Sequence, residues 1–141
     1  MAPAPKAKTD TIEVMLVTSA YTPNADHLVV DAGGANDPLD AEIVATNYTG
    51  GHAGAGRKVL ASKTLTTDNT NDRAEFDAAD IVWTALGGAT NATVVGAIVI
   101  KRGTTNDTTA RLIWYIDIAD FTTNGSDVTV QWNVEGIAQL A

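Results

Sequence analysis

The chain has 141 residues, 45% of them hydrophobic, which is one ordinary globular domain with enough apolar surface to build a core. A net charge of −8 and a pI near 4.4 exclude the basic footprint that nucleic-acid backbones require. The lack of cysteine excludes disulfides, thiolate-ligated zinc and thiol catalysis.

Residues 1–10 open the chain with Pro3 and Pro5 among Ala, Lys6 and Lys8. Proline fixes φ and removes a donor, so an extended N-terminal arm is expected there, followed by a single domain over residues 11–141. No apolar leader segment follows the basic residues. The longest strongly apolar run, Val94 to Ile100, is far shorter than a membrane span, so neither secretion nor membrane contact is expected.

Short apolar segments separated by turn clusters then follow in order. Thr11–Thr18 alternates, with Ile12, Val14 and Leu16 on one face. Ala41–Thr46 is a weaker strand candidate, and Val59–Thr66 follows a glycine-rich stretch. Ala74–Asp77 and Ile81–Leu86 are short and apolar. Val94–Lys101, Arg111–Ala119 and Val128–Val134 carry the strongest strand signals. Turn residues punctuate the series at Gly33-Gly34, Gly50-Gly51, Asp68 to Asp72, Gly87-Gly88, Gly103 to Asp107 and Asn124-Gly125. This regular spacing predicts an antiparallel all-β sandwich or barrel.

Leu112, Trp114, Ile116 and Ile118 are expected to form a core face, as are Val128, Val130, Trp132 and Val134. Asn124-Gly125 predicts a hairpin between these two strands. Val94–Ile100 is apolar on both faces. A loop, the arm or a second subunit must therefore cover one of them, and Val95 and Val99 are the candidate interface residues for that contact, in a dimer or trimer.

Motifs for chemistry fail one by one. In GGHAGAGRK, Gly51 and Gly56 have the spacing of a phosphate-binding loop, but Arg57 and Lys58 stand where Lys and Ser or Thr belong. A strand rather than a helix follows, so a flexible glycine-rich loop is expected. The acidic run Asp68–Asp72 starts like a calcium loop, but Arg73 and Ala79 occupy the positions of its Gly and Glu. A turn capped by its own Asp and Asn side chains is expected instead. Asp31, Asp37 and Asp40 could gather at one edge, and His27 and His52 lack the spacing of a zinc site. With no nucleophile–base arrangement, no catalytic residue, cofactor or resident metal is expected. Trp83, Trp114 and Trp132 fall on apolar faces and should pack in the core, while Tyr48 and Tyr115 should be exposed.

Several segments together resemble a known group. Tyr48, Thr49, Gly50 and Gly51 precede Lys63-Thr64; Phe76, Asp77, Asp80 and Trp83 follow; and Tyr115, Asp117, Gln131, Trp132, Gly136 and Ile137 close the pattern. Over residues 12 to 140 this is similar to small virion structural proteins of tailed bacteriophages, the capsid decoration (cement) proteins among them. HAGAGR and GGATNA are longer than the pattern and fall in expected loops. The resemblance implies a non-enzymatic protein on the outer surface of the head, with the major capsid protein as partner and no cofactor. Pattern and resemblance together predict a jelly-roll-like β-sandwich. A tail or fibre component that binds a receptor or carbohydrate is the alternative. In either setting the arm, with Pro3, Pro5, Lys6 and Lys8, is expected to lie across an acidic surface of a capsid or sister subunit.

Overall fold

The computed structural model describes residues 9–140 and is all-β, with only two short 3-10 turns at Pro38–Ala41 and Asp107–Thr109. One antiparallel sheet has the order β2-β1-β6-β7, from β1 (Ile12–Val17), β2 (Lys58–Val59), β6 (Thr93–Lys101) and β7 (Arg111–Thr122). Facing it are a three-stranded sheet of β3 (Thr64–Asp68), β4 (Arg73–Asp77) and β9 (Ala138–Leu140), and a pair of β5 (Ile81–Leu86) and β8 (Ser126–Val130). Antiparallel all-β architecture is thus as the turn spacing predicts. The jelly roll is not established by this strand order, because only one of the sheets has four strands.

The centre is β1 against β6, in register from Ile12 opposite Lys101 to Val17 opposite Gly96. Every residue of β1 is buried. Ile12, Val14 and Leu16 join Ala97, Val99, Ile81, Trp83 and Leu86 in the core between the sheets. Met15 and Val17 join Ile98 and Ile100 on the opposite face, which Tyr21, Val30, Ala41 and Ala110 cover. Residues 18–42 therefore act as a lid over the second apolar face. Glu42 bridges to Val17 of β1 and Val29 to Arg111 of β7, pinning that lid to the sheet.

The inter-sheet core, not a second subunit, covers Val99, which corrects its expected role as an interface residue. Val99 is completely buried within the chain, and Val95 is half-buried. A second subunit has no access to Val99.

Other expectations shift for identifiable reasons. Ala41–Thr46 makes only isolated bridges, because the 3-10 turn started by Pro38 runs into it. Val59–Thr66 is interrupted at Ser62, whose φ of 53° lies in the left-handed region, and splits into β2 and β3. In β7, Ile100 pairs with Leu112 and Val99 with Trp114, which leaves Ile113 as a bulge. The extra residue changes the side-chain alternation, so Leu112 packs with the lid cluster while Trp114 and Ile116 face the inter-sheet core.

β8 stops at Val130, and Trp132 turns out of the strand to bond Asp80 through its backbone N–H and Ala79 through its indole. Val134, expected on a core face, is 98% exposed. Trp114, Ile116, Val130 and Trp132 are half-buried against the core rather than enclosed in it. Asn124-Gly125 is not a hairpin between paired strands. β7 pairs with β6 and β8 with β5, so the turn carries the chain from one sheet to the other, with Gly125 N bonded to Leu86 O.

Candidate functional site

Two places gather polar or aromatic side chains that hydrophobic packing alone does not explain. The first is buried. Arg57, fully enclosed, forks onto Glu42 with Nε–Oε1 2.8 Å and Nη2–Oε2 2.7 Å, and onto Asp107 with Nη1–Oδ1 2.6 Å and Nη2–Oδ2 3.2 Å. Glu13, at the start of β1, receives Arg102 Nη2 at 2.7 Å, while its other oxygen lies 3.9 Å from Arg57 and accepts no hydrogen bond. Tyr48 donates its hydroxyl to Glu42 at 2.9 Å and accepts the N–H of Leu16 at 3.1 Å.

Burial opposes the charge of Arg57, but the hydrogen bonds and charges of Glu42 and Asp107 prevail and raise its pKa. Burial, helped by the charge of Glu42, pushes the Tyr48 phenol well above its usual value near 10. The group joins β1, the end of the lid, the glycine-rich loop and the β6–β7 connection. It has the paired, hydrogen-bonded geometry that buried charge requires, and its role is to fix four segments together.

That role explains the glycine-rich loop. A side chain at Gly56 would sit 2.6 Å from the ring of Tyr48, so glycine allows the close approach that delivers Arg57 to its partners. The expected flexible loop is instead tightly packed. Tyr48, expected to be exposed, is buried by the same arrangement. Sequence reasoning passed over Arg57 as a failed phosphate-loop residue. Its only signal was a charged residue next to glycines in a chain with few cations.

The second place is on the surface. A concavity of about 390 Å³ is lined by Tyr21, Pro23, Asn24, Ala25, His27, Leu28 and the first half of β7 from Leu112 to Tyr115. Tyr21 forms its floor, with ring centroids 5.7 Å from His27 and 6.0 Å from Tyr115. His27 Nδ1 lies 3.4 Å from the Tyr21 hydroxyl. Asn24 accepts the N–H of Asp26 at 3.0 Å, an Asx turn that sets the loop beside the floor.

The rim carries two exposed aliphatic side chains, Leu28 at 64% and Ile113 at 42%. Ile113 is outside because of the bulge, and Leu28 is beside it because Leu112 N bonds Leu28 O at 3.1 Å. Tyr115 is half-buried over Gly96, where any side chain would meet its ring. Burial raises the pKa of Tyr21, and burial followed by the charges of Asp117 and Asp120 raises that of Tyr115. Both phenols are therefore neutral donors near neutral pH. The concavity suits an apolar or aromatic group with a polar edge.

The expected interface residues Pro3, Pro5, Lys6 and Lys8 lie outside the described residues. Asp10, expected to belong to the arm, is part of the body: its carboxylate pairs with Lys101 at 3.0 Å and its carbonyl accepts from Lys63. Asp37 accepts the N–H groups of Ala32 and Gly34, and Asp31 that of Gly33, so these carboxylates shape their own loop. Among the described residues no three of His, Asp and Glu are grouped so as to hold a metal ion. Asp68 accepts Thr70 N and Asn71 N and is bonded by Asn71 Nδ2 at 2.6 Å, which is the self-capped turn expected. Comparison with known proteins finds no matching family model, no similar curated protein and no similar solved structure.

Proposed function

We propose that this protein is a non-enzymatic capsid decoration protein of a tailed bacteriophage, bound to the outer surface of the head across contacts between major capsid subunits. The observation that carries the reading is the Leu28–Ile113 rim around an aromatic floor. Exposed aliphatic side chains beside a firm concavity are what a partner surface can cover. The sequence resemblance over residues 12 to 140 supplies the partner class. The lid, pinned to the sheet, and the Arg57 centre, which ties four segments together, support it too, because a rigid clamp loses little conformational entropy on docking.

Repeated many times on a shell, such a clamp adds buried area at subunit contacts without chemistry. Quantitative mass spectrometry of purified particles tests this. The reading expects copies comparable in number to the major capsid protein. The aromatic floor of Tyr21, His27 and Tyr115 favours a second reading, a tail or fibre module that binds a carbohydrate, and a count of a few to tens per particle would support it. Absence from particles would remove both.

A further inference from the structure

We propose that the outer edge of β7 receives residues 1–8 of a second copy of this chain as an added strand. β7 (Arg111–Thr122) is the longest strand and lies at the margin of its sheet. On its free side Arg111 bridges to Val29 and Leu112 bonds Leu28 O; beyond Leu112, among the described residues, no backbone group of the strand has a partner on that side. An edge this long is a template for strand addition unless something blocks or fills it.

Charge selects the occupant. Residues 112–141 contain no Lys or Arg, and Asp117 and Asp120 are exposed on β7 without an ion pair among the described residues. Pairing two β7 edges would bring these carboxylates towards each other, which like charges oppose. Residues 1–8 carry Lys6 and Lys8 and no acid. Their prolines also have the right period. In an extended strand successive residues turn their backbone groups to opposite sides, so Pro3 and Pro5 place their missing donors on one side. Ala2, Ala4, Lys6 and Lys8 keep intact N–H groups on the other.

Distance selects a second copy. Asp10 pairs with Lys101, which stands opposite Arg111 at the start of β7. Asp117 lies six residues further along that strand, or about 20 Å. Lys6, four residues from Asp10, reaches about 14 Å from it along the chain, while Asp120 lies nine residues beyond Arg111, or about 30 Å. A chain's own lysines therefore cannot pair with both Asp117 and Asp120, whereas those of a second copy can. Reciprocal exchange between two copies satisfies both edges at once.

The test compares the full chain with a truncation starting at Thr9, using sedimentation equilibrium, and adds a synthetic peptide of residues 1–8 to the truncation. The proposal expects the full chain to associate and the truncation to be monomeric with an unchanged melting temperature. The peptide should bind saturably, with at least tenfold weaker affinity for D117K/D120K and recovered affinity when the peptide carries K6E/K8E. If D117K/D120K does not fold, D117N/D120N serves with the unmodified peptide. A monomeric full chain, a truncation that associates like the full chain, or a peptide indifferent to residues 117 and 120 would overturn the proposal. Particle occupancy is measured separately, so failure here and failure of the decoration reading are distinguishable.

Discussion

The strands of the β1–β6 centre and of the β7–β8 margin each present an apolar face, yet they are enclosed to different degrees. β1 and most of β6 are sealed on both faces, by the inter-sheet core on one side and the lid on the other. β7 and β8 carry the clearest alternation in the sequence, but none of their residues is fully buried. Alternation reports that a strand has one wet face; it does not report how thick the layer over the other face is. The centre is where burial is complete, and the margin is where apolar surface stays open.

The largest effect should come from Arg57. Arg57→Met leaves Glu13, Glu42 and Asp107 buried without a shared cation, which should cost about 3–5 kcal/mol in denaturant unfolding. Arg73 also contacts three carboxylates, those of Asp68, Glu75 and Glu135, but at the surface. Arg73→Met should cost less than about 1 kcal/mol. Equal losses at the two arginines would erase the distinction between centre and margin.

The tryptophans sharpen it. Trp83 is buried at the centre and donates its indole N–H to Gly56 O at 2.6 Å, so Trp83→Ala should cost about 3–5 kcal/mol. Trp132 is half-exposed, and Trp132→Ala should cost about half as much. Thermal or denaturant melts of both variants measure the difference.

Tyr48→Phe removes the bonds to Glu42 and Leu16 N and should cost about 1–2 kcal/mol. The raised phenol also sets a pH dependence. A group whose folded pKa lies above its unfolded value stabilises fully below the unfolded value, near 10, and loses that contribution as pH rises through the folded value. The melting temperature of the parent should therefore fall more steeply above pH 10 than that of Tyr48→Phe. Tyr21 and Tyr115 titrate in both proteins and cancel from the comparison. Parallel alkaline profiles would show that Tyr48 is not held neutral.

The antiparallel class, the positions of β1, β5 and β6, and the Asp68 turn were legible because each depends on local alternation or turn chemistry. The lid was not, since residues 18–42 contain no strand or helix period; their apolar members Tyr21, Val30 and Ala41 acquire meaning only once β1 and β6 present a second apolar face. Leu112 was assigned to the wrong face because a one-residue bulge leaves no mark in the pattern. The Arg57 centre joins residues separated by up to 50 positions, a distance no local motif spans. The concavity was missed because its rim depends on that same bulge and on a loop, although Tyr21 and Tyr115 were visible as aromatics.

The most direct test is a reconstruction of the intact particle by electron microscopy. The account predicts density for this chain at repeated positions on the outside of the head, with Leu28 and Ile113 turned towards major capsid subunits. Density confined to the tail, or repeated density in which Leu28 and Ile113 face solvent, would contradict it.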